Sequence, residues 1–295
     1  MRVRDTAGRW TVVWLVVLAL AQTAALITVW RTAVHTELGQ WFDTVALTGN
    51  RIGQDRIDGL VNRILNAMSV AALLAATAVI GFIALIRGRV ALAVTATLLI
   101  VGANLTTQAL KYSLARPDFG IDPQRIFAGN SLPSGHATVA ASFAVALVLV
   151  LPPTVRVLGA LFGTGYAAAV GVATLSAGWH RPSDAIAAYL VVGVWTALGG
   201  LALLIMQRER AEADPGDAHR LAAVLLGAGG VLAVVACGLA LAWLADGPRV
   251  APNELGRRPL FVGYAGGAAG IAGTMGIVMA LVLVSVHRLV PRNAG

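Results

Sequence analysis

The sequence predicts an all-α, polytopic membrane protein, and three observations carry that expectation. Apolar residues make up 58% of the 295 and charged residues only 12%, far from the roughly 25% charged, 45–50% apolar mix of a soluble domain. The apolar residues fall in runs close to the ~20 residues that a helix needs to cross a bilayer. Charged residues gather between those runs, and long unbroken runs fit a helix that satisfies its own backbone in lipid, not an alternating barrel strand.

Eight spans are expected along the chain: Trp10 to Trp30, Ile64 to Ile86, Val90 to Leu110, His136 to Leu151, Val157 to Gly178, Asp184 to Met206, Leu221 to Leu244, and Gly263 to Val286. The first run also reads as a cleaved signal peptide, since Ala19, Leu20 and Ala21 follow a short apolar stretch, but its length to Trp30 favours a span. The connection from Arg31 to Arg63 is long for a structureless loop. Within it, Ile52, Ile57, Leu60, Val61, Ile64 and Leu65 fall near one helical stripe with most charges off it, so that segment would lie in the interface plane or on the protein's own outer surface. In the last run, Gly263, Gly266, Gly267, Gly270 and Gly273 let helices approach closely, within the chain or across a homodimer. Cys237, the one cysteine, sits in an apolar run and reads as a small core residue.

Basic residues orient the spans. Arg2, Arg4, Arg9, Arg87, Arg89, Arg208, Arg210, Arg220, Arg288 and Arg292 fall on one side if there are eight spans; the opposite side carries a similar number of basic residues in about twice the loop length, several of them in the polar clusters below, so both termini are expected in the cytoplasm. The net charge of +8 is spread over connections and forms no basic block. Its expected partners are the lipid bilayer and anionic head groups, not nucleic acid.

Three polar clusters stand at the ends of spans, where hydrocarbon makes polar groups expensive without a purpose. They run from Lys111 to Pro117, from Leu132 to His136, and from Gly178 to Asp184, and the eight-span count puts all three on the outer side. Lys111, the chain's one lysine, reads as a snorkelling anchor or, with Arg116, as a pair of cations for an anion. Ser134 suits a helix cap, Gly135 permits close backbone approach, and the free N–H groups of a helix start suit an anion. His180 and Asp184 stand four apart, with Pro182 fitting a helix that begins there. On one helical face the carboxylate would fix the imidazole tautomer and stabilise its cation. No metal or other cofactor is implied, because no ligand set has a recognisable spacing, and Asp118 and Asp122 read as loop or capping residues.

Together the clusters resemble the three motifs of the type 2 phosphatidic acid phosphatase family, which comprises integral-membrane and soluble proteins with a histidine phosphatase centre. The family pattern is Lys, six residues, Arg-Pro; then Pro-Ser-Gly-His; then Ser-Arg, five residues, His, three residues, Asp. The likeness covers about Leu105 to Leu190, with motif order and spacing in agreement. Two departures stand out. Asp118 and Phe119 occupy the family's Arg-Pro positions, with Arg116 and Pro117 two residues earlier, and Ala173 and Thr174 replace Ser-Arg. The resemblance implies His180 as nucleophile, Asp184 stabilising its cation, and His136 as acid and then base. It also implies phosphate binding by Lys111, Arg116 and the amides around Ser134 and Gly135, with Arg181 as a further candidate for the missing charge.

The expectation is a six-helix phosphatase core over residues 1–206, with a pair of transmembrane helices of unknown role over 207–295. The substrate would be a membrane lipid phosphate: phosphatidate, phosphatidylglycerophosphate, or a polyprenyl phosphate or diphosphate. The expected setting is the bacterial plasma membrane, with the active site facing outside. Two alternatives stay open: phosphotransfer to another alcohol by the same histidine chemistry, and a lipid-phosphate binding or transport protein without turnover.

Overall fold

The computed structural model describes residues 2–52, 59, 70–121, 130–206 and 217–289. Among these there are helices and no strands: α1 (Arg2–Val29), α2 (Glu37–Thr48), α3 (Val70–Ile86), α4 (Val90–Ser113), α5 (Gly135–Val150), α6 (Pro153–Ser176), α7 (Pro182–Met206), α8 (Asp217–Ala245) and α9 (Arg257–Leu289). The described part of each of the eight expected runs falls mainly on a helix, with residues 64–69 of the second run lying outside the described residues. Among the described residues, six helices, α1, α4, α6, α7, α8 and α9, are long and apolar enough to cross a membrane. The protein is an all-α polytopic membrane protein. The expected interfacial stripe from Ile52 to Leu65 lies almost wholly outside the described residues, and the helix found in that connection is the earlier α2.

Local chemistry sets the helix ends. Gly88 adopts φ 65°, a left-handed conformation that L side chains avoid, and so turns α3 sharply into α4. Pro153 and Pro182 open α6 and α7, where a missing N–H costs nothing. Thr36 caps α2 by accepting from Gly39 N at 3.0 Å, and Ser134 caps α5 by accepting from Ala137 N at 3.3 Å.

The 16-residue α5 is the packing centre. It rises only about 24 Å, short of the ~30 Å hydrocarbon core. Ala137, Ala140, Ala141, Val145 and Ala146 are fully buried along it, and these small side chains let α4, α6 and α7 close around it. One hydrophobic cluster runs from Leu15 on α1 through α5 and α7 to Met275, Met279 and Leu283 on α9. The C-terminal pair therefore shares the core of the preceding helices. The glycines of α9 are packed against the chain's own helices: a Cβ on Gly273 would meet Gly230 O at 2.7 Å, on Gly266 Ala240 at 2.6 Å, and on Gly267 Pro182 at 2.6 Å.

Helix direction alternates, so the start of α1 and the end of α9 share one end of the bundle. There Trp14 Nε1 donates to Ser285 Oγ at 3.0 Å. The starts of α5 and α7 and the end of α4 share the opposite end, together with α2.

Candidate active site

The third cluster is held in place by the turn between α6 and α7. Trp179 N and His180 N both donate to Thr174 O, at 3.0 and 3.2 Å, and Gly178 takes φ 73° to make the reversal. This presents His180 just before the first turn of α7, with Asp184 fully buried one turn later. Asp184 Oδ2 lies 3.2 Å from His180 Nδ1 and accepts from Arg181 N at 3.0 Å. An ionised carboxylate only accepts, so it places the ring proton on Nδ1 and leaves Nε2 with its lone pair.

The second cluster meets the third through the backbone, where Ser134 N donates to Asp184 O at 2.8 Å. His136, in the first turn of α5, brings its ring centroid to 6.3 Å from that of His180 and 5.4 Å from that of Trp179. Ser134 is wholly buried and its hydroxyl is committed to the cap. The Gly135 and His136 amides, by contrast, have no internal acceptor among the described residues. An anion at this helix start would meet those two N–H groups and the positive end of the helix dipole.

Cations complete the site. Lys111, in the last turn of α4, lies within electrostatic reach of His136. Below it, Thr107 and Thr138 pair their hydroxyls at 2.9 Å, fixing α4 against α5. The Arg116 side chain is 2% exposed and lies between two carboxylates, with Nη2 3.3 Å from Asp43 Oδ2 and Nη1 4.0 Å from Asp184 Oδ1. Arg181 lies within electrostatic reach of both acids. Asp118 Oδ1 accepts from Gly120 N at 2.9 Å in a loop turn, as expected for a local residue; Asp122 lies outside the described residues. Among the described residues, no three His, Cys, Asp or Glu side chains are arranged to share a metal ion.

All eight candidate residues thus gather at one end of the bundle, and the structure adds a ninth side chain that sequence reading missed. Asp43 comes from α2. Its Oδ1 accepts from Ser183 N at 3.3 Å and its Oδ2 from the Ser183 hydroxyl. Burial raises its pKa from the usual carboxylate value and the Asp184 charge adds to that, while Arg116, the Ser183 bond and Arg181 oppose it. The signal for it lay in the spacing of Gln40, Asp43 and Thr44, a polar face at i, i+3 and i+4 that folds inward.

Fold and site together define an integral-membrane protein with a paired-histidine centre open to an oxyanion. Residues 90–211, which span α4 through α7, match the family model of the PAP2 superfamily. The match is the one that the three motifs foreshadow, and it marks a phosphatase-type hydrolase of phosphate esters. Comparison with curated proteins and with solved structures gave no match.

Proposed function

We propose that the protein is a metal-independent phosphatase that hydrolyses a membrane lipid phosphate through a phosphohistidine on His180. One observation carries the reading most: the His180–Asp184 pair faces His136 across the open start of α5, inside the segment matched to the superfamily. His180 Nε2 attacks phosphorus as the P–O bond to the lipid breaks, and protonated His136 gives its proton to the departing oxygen. Asp184 balances the imidazolium charge that forms. Neutral His136 then takes a proton from water as water attacks phosphorus, the P–N bond breaks, and inorganic phosphate leaves. Lys111 and the Gly135 and His136 amides hold the non-bridging oxygens, where phosphoryl transfer concentrates charge.

The bilayer supports a lipid phosphate as substrate. The centre sits at the ends of membrane-length helices, with Tyr112 85% and Trp179 46% exposed beside it, as amphipathic aromatics are at a membrane–water interface. Phosphatidate, phosphatidylglycerophosphate, and polyprenyl phosphate or diphosphate all present that head group. The denser basic residues in the shorter connections on the side of the termini support an outer-facing site with both termini cytoplasmic, and the proposed setting is the plasma membrane of a bacterium. A cysteine introduced at Asp118 should then react with an impermeant thiol reagent in intact cells, while a C-terminal tag stays shielded; the reverse pattern refutes the orientation.

A second reading, a lipid-phosphate binding protein without turnover, draws support from Ala173 and Thr174 at the family's Ser-Arg positions and from the double carboxylate contact of Arg116. Phosphate release by the purified protein from a panel of lipid phosphates separates the two. Release that is abolished in His180→Ala supports the phosphatase, and lipid binding without release supports the binder. Release that appears only with an added alcohol acceptor points to phosphotransfer.

A further inference from the structure

We infer that Asp43 is a positioning residue of this centre, acting from α2 through Arg116 and the first turn of α7. The inference rests on the phosphohistidine reading above. Position 174 holds threonine in place of the family's third-motif arginine, and Arg116 stands two residues short of the first-motif position. That displaced guanidinium reaches the centre from a loop, and α2 grips the loop twice. Gln40 Nε2 donates to Pro117 O at 2.8 Å, holding the backbone just after Arg116. One turn later, Asp43 takes the guanidinium itself at 3.3 Å. The same carboxylate accepts from both the amide and the hydroxyl of Ser183, the neighbour of Asp184. A helix outside the matched segment 90–211 therefore ties the displaced arginine to the start of α7.

The distances say what this accomplishes. Arg116 is closer to Asp43 than to Asp184, and Asp184 Oδ1 is buried with no hydrogen bond among the described residues. The charge of Asp184 thereby stays available to the His180 imidazolium. Without Asp43, the remaining carboxylate paired with the buried guanidinium among the described residues is Asp184, and a close pair there would neutralise the charge that the attacking imidazole needs. Asp43 thus acts on the chemical step and leaves substrate affinity alone.

The test measures kcat, KM and thermal unfolding of the full-length protein in detergent for Asp43→Asn, Asp43→Glu, Arg116→Gln and the double variant Asp43→Asn/Arg116→Gln, with His180→Ala alongside. Asp43→Asn keeps the side-chain shape; kcat should fall roughly tenfold or more with KM nearly unchanged. Asp43→Glu, which restores the charge, should recover part of that kcat. In the Arg116→Gln background the same change should lower kcat little further, because two residues acting as one unit are not additive. Wild-type kcat in Asp43→Asn, or losses that multiply independently in the double variant, would overturn the inference. If Asp43→Asn does not fold, Gln40→Leu releases the Pro117 tether with both charges kept; it should lower kcat at constant KM, and unchanged kcat there overturns the inference. Should the wild type release phosphate from no lipid, the phosphatase reading fails and the inference with it. An active wild type, a dead His180→Ala and a fully active Asp43→Asn together reject only the role of Asp43.

Discussion

The two ends of α5 obey one rule and resolve it oppositely. Every helix ends in backbone groups with no partner inside the helix. At the C-terminal end of α5, arginines close them: Arg156 Nε and Nη2 donate to Val148 O and Leu151 O at 3.1 and 3.0 Å, and Arg87 donates to Val150 O. At the N-terminal end, the Ser134 hydroxyl takes Ala137 N, and the Gly135 and His136 amides have no acceptor among the described residues, below two histidines. The closed end is built for stability, and the open end keeps donors in reserve for an anion. The shortness of α5 makes both possible, since its ends stop within reach of side chains from α4, α6 and the turns that follow α3 and precede α7.

Substitutions at the two ends should therefore give opposite signatures. The largest effect belongs to the open end: His180→Ala should cut turnover by about 10³-fold or more, with thermal unfolding nearly unchanged. Equal losses of turnover and stability would blur the contrast. At the closed end, Arg156→Ala strands buried carbonyls and should cost about 3 kcal/mol of stability, with kcat per folded molecule unchanged. A loss of kcat there would show that the two ends are coupled. Ser134→Ala removes a cap at the open end and should cost about 1 kcal/mol, measured as a small fall in unfolding midpoint.

The smallest effect is a pH dependence at Asp43. Its folded pKa lies above the usual carboxylate value, so the native state binds its proton more readily than the unfolded chain does. The stability that this proton contributes is fully present below the ordinary value of 3.8 and is lost as pH rises through the folded value. The stability of Asp43→Asn relative to wild type should rise across that window, and a flat difference would mean that Arg116 fully offsets the burial.

The same contrast explains what could be read from the sequence. Span-length apolar runs foretold the helices because lipid admits few other structures, and the three clusters, noticed because charge at a span end needs a reason, do gather at one end of the bundle. His136, His180 and Asp184 were legible as local pairs and caps. Asp43 was not, because Gln40, Asp43 and Thr44 form a polar face that turns inward, where a search for apolar stripes does not look. The closing arginines Arg87 and Arg156 were legible only as charges, since a guanidinium's target carbonyl depends on tertiary packing. The division at residue 206 follows the family's extent, while packing crosses it: Gly267 on α9 lies against Pro182 at the head of α7.

The central claim is that His180 carries the phosphoryl group, and trapping the intermediate tests it most directly. Purified protein mixed with a lipid phosphate labelled in its phosphoryl group, then quenched in alkali within milliseconds, should hold label that survives base, is released by acid, and maps to the peptide containing His180. Asp184→Asn should slow its formation, and His180→Ala should hold none. Steady release of phosphate by the wild type with no labelled protein at any quench time, or label that persists in His180→Ala, would contradict the account.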